Sequence, residues 1–189
     1  MQAIRNIGVL SFEGKQYDLT REIANYLIEN LNEEEIQGIF DAEHLLLQVD
    51  IETAEEKEYP QVVSKFEELI SKYKRANNVA LLEMDYAKFL AYKLDKKSEA
   101  IEKLRKLSRE NLPLRIEASV RLALGDILVT DNKFNQALIQ FTQVQRKMEG
   151  DELAHDAYFK FAHMSYFKGD FLWALTHLDV LNRSTTQLF

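Results

Sequence analysis

The chain has 189 residues, of which 46% are apolar and 29% charged, so it can bury a sizeable core and is neither disordered nor membrane-spanning in composition. Its net charge of −7 argues against general nucleic-acid binding, which needs a basic surface, and the lack of cysteine excludes disulfides and thiolate sites. Six glycines and two prolines are few for a β-rich fold, whereas helix-forming residues are frequent. No window has the length and polarity of a membrane helix.

The first 42 residues are the least regular part of the chain. They predict an N-terminal helical segment that is either a divergent repeat unit or a simple extension. Ile7, Gly8 and Tyr17 fall where the repeat described below places such residues. The acidic stretch ENLNEEEIQ is most simply a solvated helix face and connection.

From residue 43 onward, helical patterns come in pairs. The first run of each pair covers residues 43–55, 81–94, 115–130 or 153–168. The second run holds a small residue followed four positions later by a large apolar one, in the pairs Val62/Phe66, Ala100/Leu104, Ala137/Phe141 and Ala174/Leu178. These anchors are 38, 37 and 37 residues apart. Apolar residues at i, i+3, i+4 and i+7 predict helices, and short polar turns such as TDNK separate them.

The unit is therefore a helix, a tight turn and a second helix. We predict an all-α fold of four such pairs at about 43–80, 81–117, 118–154 and 155–189. A single pair cannot bury both of its apolar faces, so the pairs are expected to stack as an array. The small anchor lets two helices approach closely, and the bulky residue one turn later fills the adjacent gap.

This pattern resembles the tetratricopeptide repeat (TPR), whose signature has a Leu-Gly step in the first helix and A-x3-F in the second. Leu124, Gly125, Ala137 and Phe141 carry the match. The resemblance implies a right-handed superhelical solenoid of antiparallel helix pairs; another α-α superhelix is the alternative. In the other units the position of the signature glycine is occupied by Ala162, Lys88 and Asp50. The signature tryptophan is replaced by Leu46, Met84, Arg121 and Tyr158.

Residues 115–189 are also similar to long, mostly uncharacterised TPR proteins of Bacteroidetes-type bacteria. That resemblance implies that the chain is a segment of a longer protein and places it in the periplasm or cell envelope, while the residues themselves leave the cytoplasm open. The residues of the last helix point the same way. The outer face of a terminal unit should be polar, but this helix presents apolar residues that something is expected to cover. They are Phe171, Leu175, Leu178, Leu181, Leu188 and Phe189.

No arrangement of residues points to catalysis, a cofactor or a metal ion. His155 and His163 lie eight residues apart, about 12 Å along a helix, which is too far for two ligands of one metal. His44 and His177 have no partner at ligand spacing, and no phosphate-binding loop or nucleophile turn occurs. The sequence therefore predicts a protein that is not an enzyme.

In TPR arrays the first helix of each pair lines a concave groove, so the resemblance implies a scaffold that binds a protein or peptide there. The groove residues it implies are Asp85, Phe89, Tyr92, Lys93, Leu122, Asp126, Val129, Phe159, Lys160, His163 and Tyr166. For each aromatic residue, packing between helices is the competing interpretation. Two alternatives are self-association into a homodimer through the C-terminal helix and a carbohydrate-binding or hydrolytic module.

Overall fold

All regular structure in residues 2–32, 34–74 and 78–186, the part described by the computed structural model, is helical, which confirms the predicted all-α class. The α-helices are α1 (Gln2–Glu13), α2 (Tyr17–Asn30), α3 (Ile36–Thr53), α4 (Tyr59–Lys72), α5 (Val79–Tyr92), α6 (Lys97–Leu107), α7 (Leu114–Thr130), α8 (Phe134–Lys147), α9 (Glu152–Phe167) and α10 (Phe171–Thr186). A 3-10 turn at Glu56–Glu58 precedes α4.

The chain divides into two compact units, Met1–Phe89 and Leu90–Phe189, so the division falls inside α5. In the first unit the largest fully buried side chains include Phe40, Phe66 and Phe89. In the second they include Phe141 and Ile127. Each unit thus has its own apolar core, which is built from the bulky residues that the helical periodicity placed on one face.

Three of the five turns within the helix pairs α1–α2, α3–α4, α5–α6, α7–α8 and α9–α10 share one backbone conformation. Lys15, Asn132 and Gly169 lie two residues before α2, α8 and α10, and each has a positive φ, between 56° and 81°. The next backbone N–H in each turn donates to a carbonyl five residues earlier, at 2.8–2.9 Å. This is the Schellman arrangement, in which a residue in the left-handed region ends a helix and satisfies its last carbonyls.

The other two turns differ in ways the sequence spacing explains. Between α5 and α6, Asp95 has a φ of 53°, but the N–H of Lys96 reaches back six residues to the carbonyl of Leu90 at 2.8 Å. One extra residue is therefore accommodated in that turn. Between α3 and α4, Glu55 and Glu58 form a reciprocal capping box instead.

The signature glycine has a direct packing reason. A Cβ atom built on Gly125 would lie 2.3 Å from Cε1 of Phe141, closer than real Cβ contacts. Phe141 is 1% exposed, so its ring fills the space that the missing side chain of Gly125 leaves between α7 and α8. The Leu-Gly step and the A-x3-F anchor are therefore two halves of one contact.

The turn geometry also corrects one sequence assignment. In four helix pairs, the turn is closed by a hydrogen bond to the carbonyl of Ser11, Leu90, Leu128 or Ser165. The residue three positions before each of these is small and buried. These residues are Gly8, Ala87, Gly125 and Ala162. The equivalent of Gly125 in α5 is thus Ala87, which is 0% exposed, and not Lys88. The extra residue in the α5–α6 turn shifts the register by one position.

The N-terminal segment contains a helix pair with the same turn. Tyr17 begins α2, and Gly8 lies buried in α1, where a Cβ would come within 3.1 Å of Ile23 and Leu45. Thr20 is 0% exposed and its hydroxyl lies 2.8 Å from that of Ser11, which ties the two helices together. The next helix, α3, begins at Ile36, earlier than the run at residues 43–55.

Candidate functional site

Asp85, the first predicted groove residue, is the centre of a polar cluster in the first unit. Nε2 of His44 donates to its carboxylate at 3.0 Å, Nε2 of Gln48 donates at 3.2 Å, and Nζ of Lys88 lies 3.4 Å away. Burial alone would raise the pKa of Asp85, but the His44 hydrogen bond and the Lys88 charge outweigh it and hold the pKa below its usual value. The carboxylate is ionised and links α3 to α5.

Phe89 and Leu122 are inside the molecule rather than on a groove surface. Phe89 is 2% exposed, and its ring lies 5.3 Å from that of Tyr59 and 5.8 Å from that of Phe66. Leu122 is 5% exposed. For these two residues, packing between helices is the correct interpretation, because their helix faces point into the core.

Three other predicted groove residues come together in the second unit. Nζ of Lys160 in α9 donates to Oδ2 of Asp126 in α7 at 3.0 Å, and Asp156 lies 3.8 Å from the same nitrogen. Burial and the nearby Asp126 carboxylate raise the pKa of Tyr92 to about 12. The half-exposed phenol of Tyr92 is therefore neutral and offers its hydroxyl as a hydrogen-bond donor at any physiological pH.

Exposed aromatic rings follow one side of α9. Phe159 is 54% exposed and stacks on His163 at 5.8 Å, and Phe167 meets the other side of that imidazole edge-on at 4.7 Å. Tyr166 is 59% exposed and contacts Phe167 at 5.8 Å. Sequence reasoning missed Phe167, although its spacing of four from His163 and eight from Phe159 places all three on one helix face.

We call the set formed by Tyr92, Asp126, Phe159, Lys160, His163, Tyr166 and Phe167 the α9 surface. Of the remaining predicted groove residues, Lys93 is exposed and Val129 is half-buried. The α9 surface combines large apolar area with a fixed ion pair and a phenolic donor. Such a combination can bury apolar area of a ligand and orient its polar groups.

His177 in α10 lies in an aromatic environment of its own. Its imidazole is 3.8 Å from the ring of Phe161, with Tyr158 at 5.5 Å and Trp173 at 6.3 Å between ring centroids. The Nδ1 atom is buried without a hydrogen-bond partner among the described residues. Burial lowers the pKa of His177, because the charged form is poorly solvated between these rings.

Acidification is therefore expected to destabilise the α9–α10 pair. The unfolded state has an imidazole pKa near 6.5, above the folded value, so it binds more protons as the pH falls. The contribution of His177 is fully present above about pH 6.5 and is lost below it, with a slope of at most about 1.4 kcal/mol per pH unit. Urea unfolding of wild type and His177→Leu between pH 7 and 5 tests this.

The matched control is Thr176→Leu, at the exposed, non-ionisable position before His177 on the same helix. It should retain the wild-type loss of stability between pH 7 and 5, whereas His177→Leu should show less. Parallel pH profiles for His177→Leu and wild type would contradict the assignment.

The last helix presents the apolar face that the sequence predicted. Phe171, Leu175 and Leu178 are 57%, 65% and 44% exposed, and Leu172 and Trp173 add 78% and 60%. Leu181 is half-buried, and Leu188 and Phe189 lie outside the described residues. Leu178 holds the place that the fully buried Phe141 holds in α8; α9 packs on α8, while no described helix covers α10 in that way.

The described ranges offer neither a metal-binding cluster nor a membrane-spanning helix. Residues 2–32, 34–74 and 78–186 contain no group of three or more histidine or carboxylate side chains placed to hold a metal ion. Within the same ranges, none of the helices combines the length and apolar character needed to cross a bilayer.

No protein-family model and no curated protein matches the sequence. Solved structures do match the fold. The chain is similar to PilF of Pseudomonas aeruginosa, with a TM-score of 0.68 and 18% identity over 97% of this chain and 75% of that one. It is also similar to MamA from MSR-1, with a TM-score of 0.58, 16% identity and coverage of 98% and 97%.

MamA from AMB-1 matches with a TM-score of 0.59 and 17% identity, covering 97% of this chain and 98% of that one. These neighbours are TPR-containing proteins, and at such low identity the likeness concerns the fold alone. It agrees with the helix pairs, the small buried residue and the A-x3-F contact described above. The chain has a TPR-like, all-α solenoid fold.

Proposed function

We propose that the chain is a non-catalytic scaffold that binds a protein segment on the α9 surface. TPR-like neighbours make protein interaction the expected role of such a fold. The observation that carries the proposal is the exposure of Phe159, Tyr166 and Phe167 beside the Asp126–Lys160 ion pair. Aromatic side chains bury a large area at low entropic cost, which is why they dominate binding hot spots.

The aromatic side chains of the α9 surface are held in place before binding, which favours binding of a partner. The stacking of Phe159 on His163 and the edge-on contact of Phe167 with the same imidazole order these rings before a partner arrives, so little side-chain entropy is lost on binding. The Asp126–Lys160 pair and the Tyr92 hydroxyl set the polarity next to the apolar stripe, and thereby the direction and register of the bound segment. Lys93 extends the polar side of the surface.

The variant Tyr92→Ala/Phe159→Ala/Tyr166→Ala is expected to lose partner capture. Each side chain is about half exposed, so its removal should leave the fold intact while removing contact area. In a cross-linking pull-down from native lysate, capture of the specific partner should fall at least about tenfold. Mass spectrometry identifies the partner, and its affinity is then measured again with purified protein.

The matched control is Tyr26→Ala/Leu114→Ala/Ile139→Ala, which removes side chains of similar exposure elsewhere on the chain. It should capture the partner as well as wild type does. Equal capture by the α9 variant and wild type, with unchanged helicity, would remove the α9 surface from the function.

The exposed face of α10 favours a second function, self-association. Leu172, Leu175 and Leu178 form an apolar stripe with a spacing of three residues, and an unpartnered stripe of this kind marks an interaction surface. The expected result is a molecular mass that rises with concentration in sedimentation equilibrium and becomes monomeric in Leu178→Glu. A concentration-independent monomer for wild type would exclude a homodimer through this helix.

A further inference from the structure

A cleft of about 370 Å³ opens in the first unit where α2 ends and α3 begins. Its lining includes Leu27 and Leu31 from α2, Ile36 and Gly38 from α3, and Arg5 from α1. The cleft lies entirely within the first unit and shares no residue with the α9 surface. A ligand of this cleft would therefore bind independently of a partner on the α9 surface.

The interior of the cleft is apolar. Leu27, at 1% exposure, is buried in the wall, and Ile36 is 57% exposed at the opening. Gly38 lets Leu31 pack closely against the start of α3 in the cleft wall, because a Cβ at this position would lie 3.0 Å from Cδ1 of Leu31. Clefts of this size with apolar walls and a few polar groups bind small ligands or single side chains of a partner.

The surroundings of the cleft are negative. Glu34 and Glu35 line it, and Glu29 is exposed in the last turn of α2. Arg5 also lines the cleft, but its charge is offset by its ion pair with Asp41, so the two glutamates leave the lining net negative. Residues 1–89 as a whole contain 18 acidic and 9 basic side chains, a net charge of −9. A cationic group near this opening gains from the local carboxylates and from the general field of the first unit.

The end of α2 adds a second, independent argument for a cation. The C-terminus of a helix carries a partial negative charge that lysine or arginine normally compensates. Such residues occupy the last turn in each of the other four second helices, at Lys72, Arg105 and Lys106, Arg146 and Lys147, and Arg183. The last turn of α2 has none.

We propose that this cleft binds a segment of a partner protein in which a large aliphatic side chain is flanked by lysine or arginine. The aliphatic group packs against Leu31 and Ile36 in the cleft. The flanking cations lie against Glu29, Glu34 and the carbonyl end of α2, and supply the charge that α2 lacks.

The test uses blocked synthetic peptides and amide chemical shifts of the ¹⁵N-labelled chain. The probe is Ac-Gly-Ser-Lys-Leu-Lys-Ser-Gly-NH2; its matched controls replace the central leucine by alanine or both lysines by glutamate. The lysine–leucine peptide should shift the amides of Leu31, Ile36 and Gly38 at millimolar concentration, where the binding energy is about 4 kcal/mol. Each control peptide should bind at least about threefold more weakly.

Two variants of the protein locate the site. Gly38→Val pushes Leu31 out of its place in the cleft wall and should abolish the shifts. Glu34→Lys should weaken binding of the lysine–leucine peptide while leaving the fold unchanged. Glu68→Lys, a charge reversal at an exposed position on α4, is the control and should bind like wild type. Absence of shifts at these amides in wild type, or equal binding of the glutamate peptide, overturns the proposal.

Discussion

Replacing Gly125 by alanine is expected to lower the free energy of unfolding by about 2 kcal/mol, although alanine is the better helix former by about 1 kcal/mol. The new methyl group would lie 2.3 Å from the ring of Phe141, so the ring must leave its position or the two helices must separate. For a chain of this length the midpoint of thermal unfolding should fall by roughly 4–8 °C. Differential scanning calorimetry and urea titration measure both quantities.

A second substitution, at Phe141, tests whether its contact with the new methyl group causes the loss of stability. Phe141→Leu alone should cost roughly 1–2 kcal/mol by leaving a cavity. Added to Gly125→Ala, it should restore part of the loss, because Ala162 and Leu178 occupy the same two places in the last helix pair. A coupling energy of at least about 1 kcal/mol is expected in the double-mutant cycle. Strictly additive effects would show that the contact between these two residues is not the source of the loss.

Arg121→Met is expected to cost about 2–3 kcal/mol. The guanidinium donates to Glu117 at 2.8 Å, to Gln140 at 3.1 Å and to the carbonyl of Ser108 at 3.2 Å, and its side chain is only 15% exposed. It thus connects α7 to α8 and to the end of α6. Methionine fills similar space but removes the donor to Gln140 and to the carbonyl of Ser108, while Glu117 keeps only Lys147 at 2.6 Å. Urea unfolding monitored by circular dichroism gives the value.

Arg115→Met provides the comparison on the same helix. Arg115 pairs with Asp151 at 2.6 Å and with Glu152, but its side chain is 57% exposed. Exposed ion pairs contribute little, so this variant should lose less than about 1 kcal/mol. Equal losses for Arg115→Met and Arg121→Met would contradict the role of burial in the argument.

Much of the fold could be predicted from the sequence because helical periodicity and a recurring small residue are local properties. The anchors Ala137 and Phe141 pointed to the correct contact and to helix pairs. The assignment of Lys88 was wrong by one position, since counting a fixed period cannot detect that one turn holds an additional residue. The hydrogen bond from Lys96 to Leu90 reveals it.

The candidate site was less predictable, because exposure depends on which helix covers which face. Phe89 and Phe159 are both phenylalanines on first helices, yet they are 2% and 54% exposed. Tyr59 and Phe66, from another helix, cover Phe89, and nothing within its own segment signals this. The stripe of Phe159, His163 and Phe167 depends only on spacing along α9, yet the predicted groove residues included Phe159 and His163 and left out Phe167.

The shared turn explains how this architecture tolerates evolutionary drift. Lys15, Asn132 and Gly169 are three different residue types, and each has a positive φ. Main-chain hydrogen bonds close the turn, and a residue other than glycine there costs only about 1 kcal/mol, a small part of the 5–15 kcal/mol that stabilises a domain. Neutral substitutions can therefore accumulate at the turns while the backbone is conserved. A turn closed by the main chain thus permits a similar fold at the 16–18% identity of the solved structures described above.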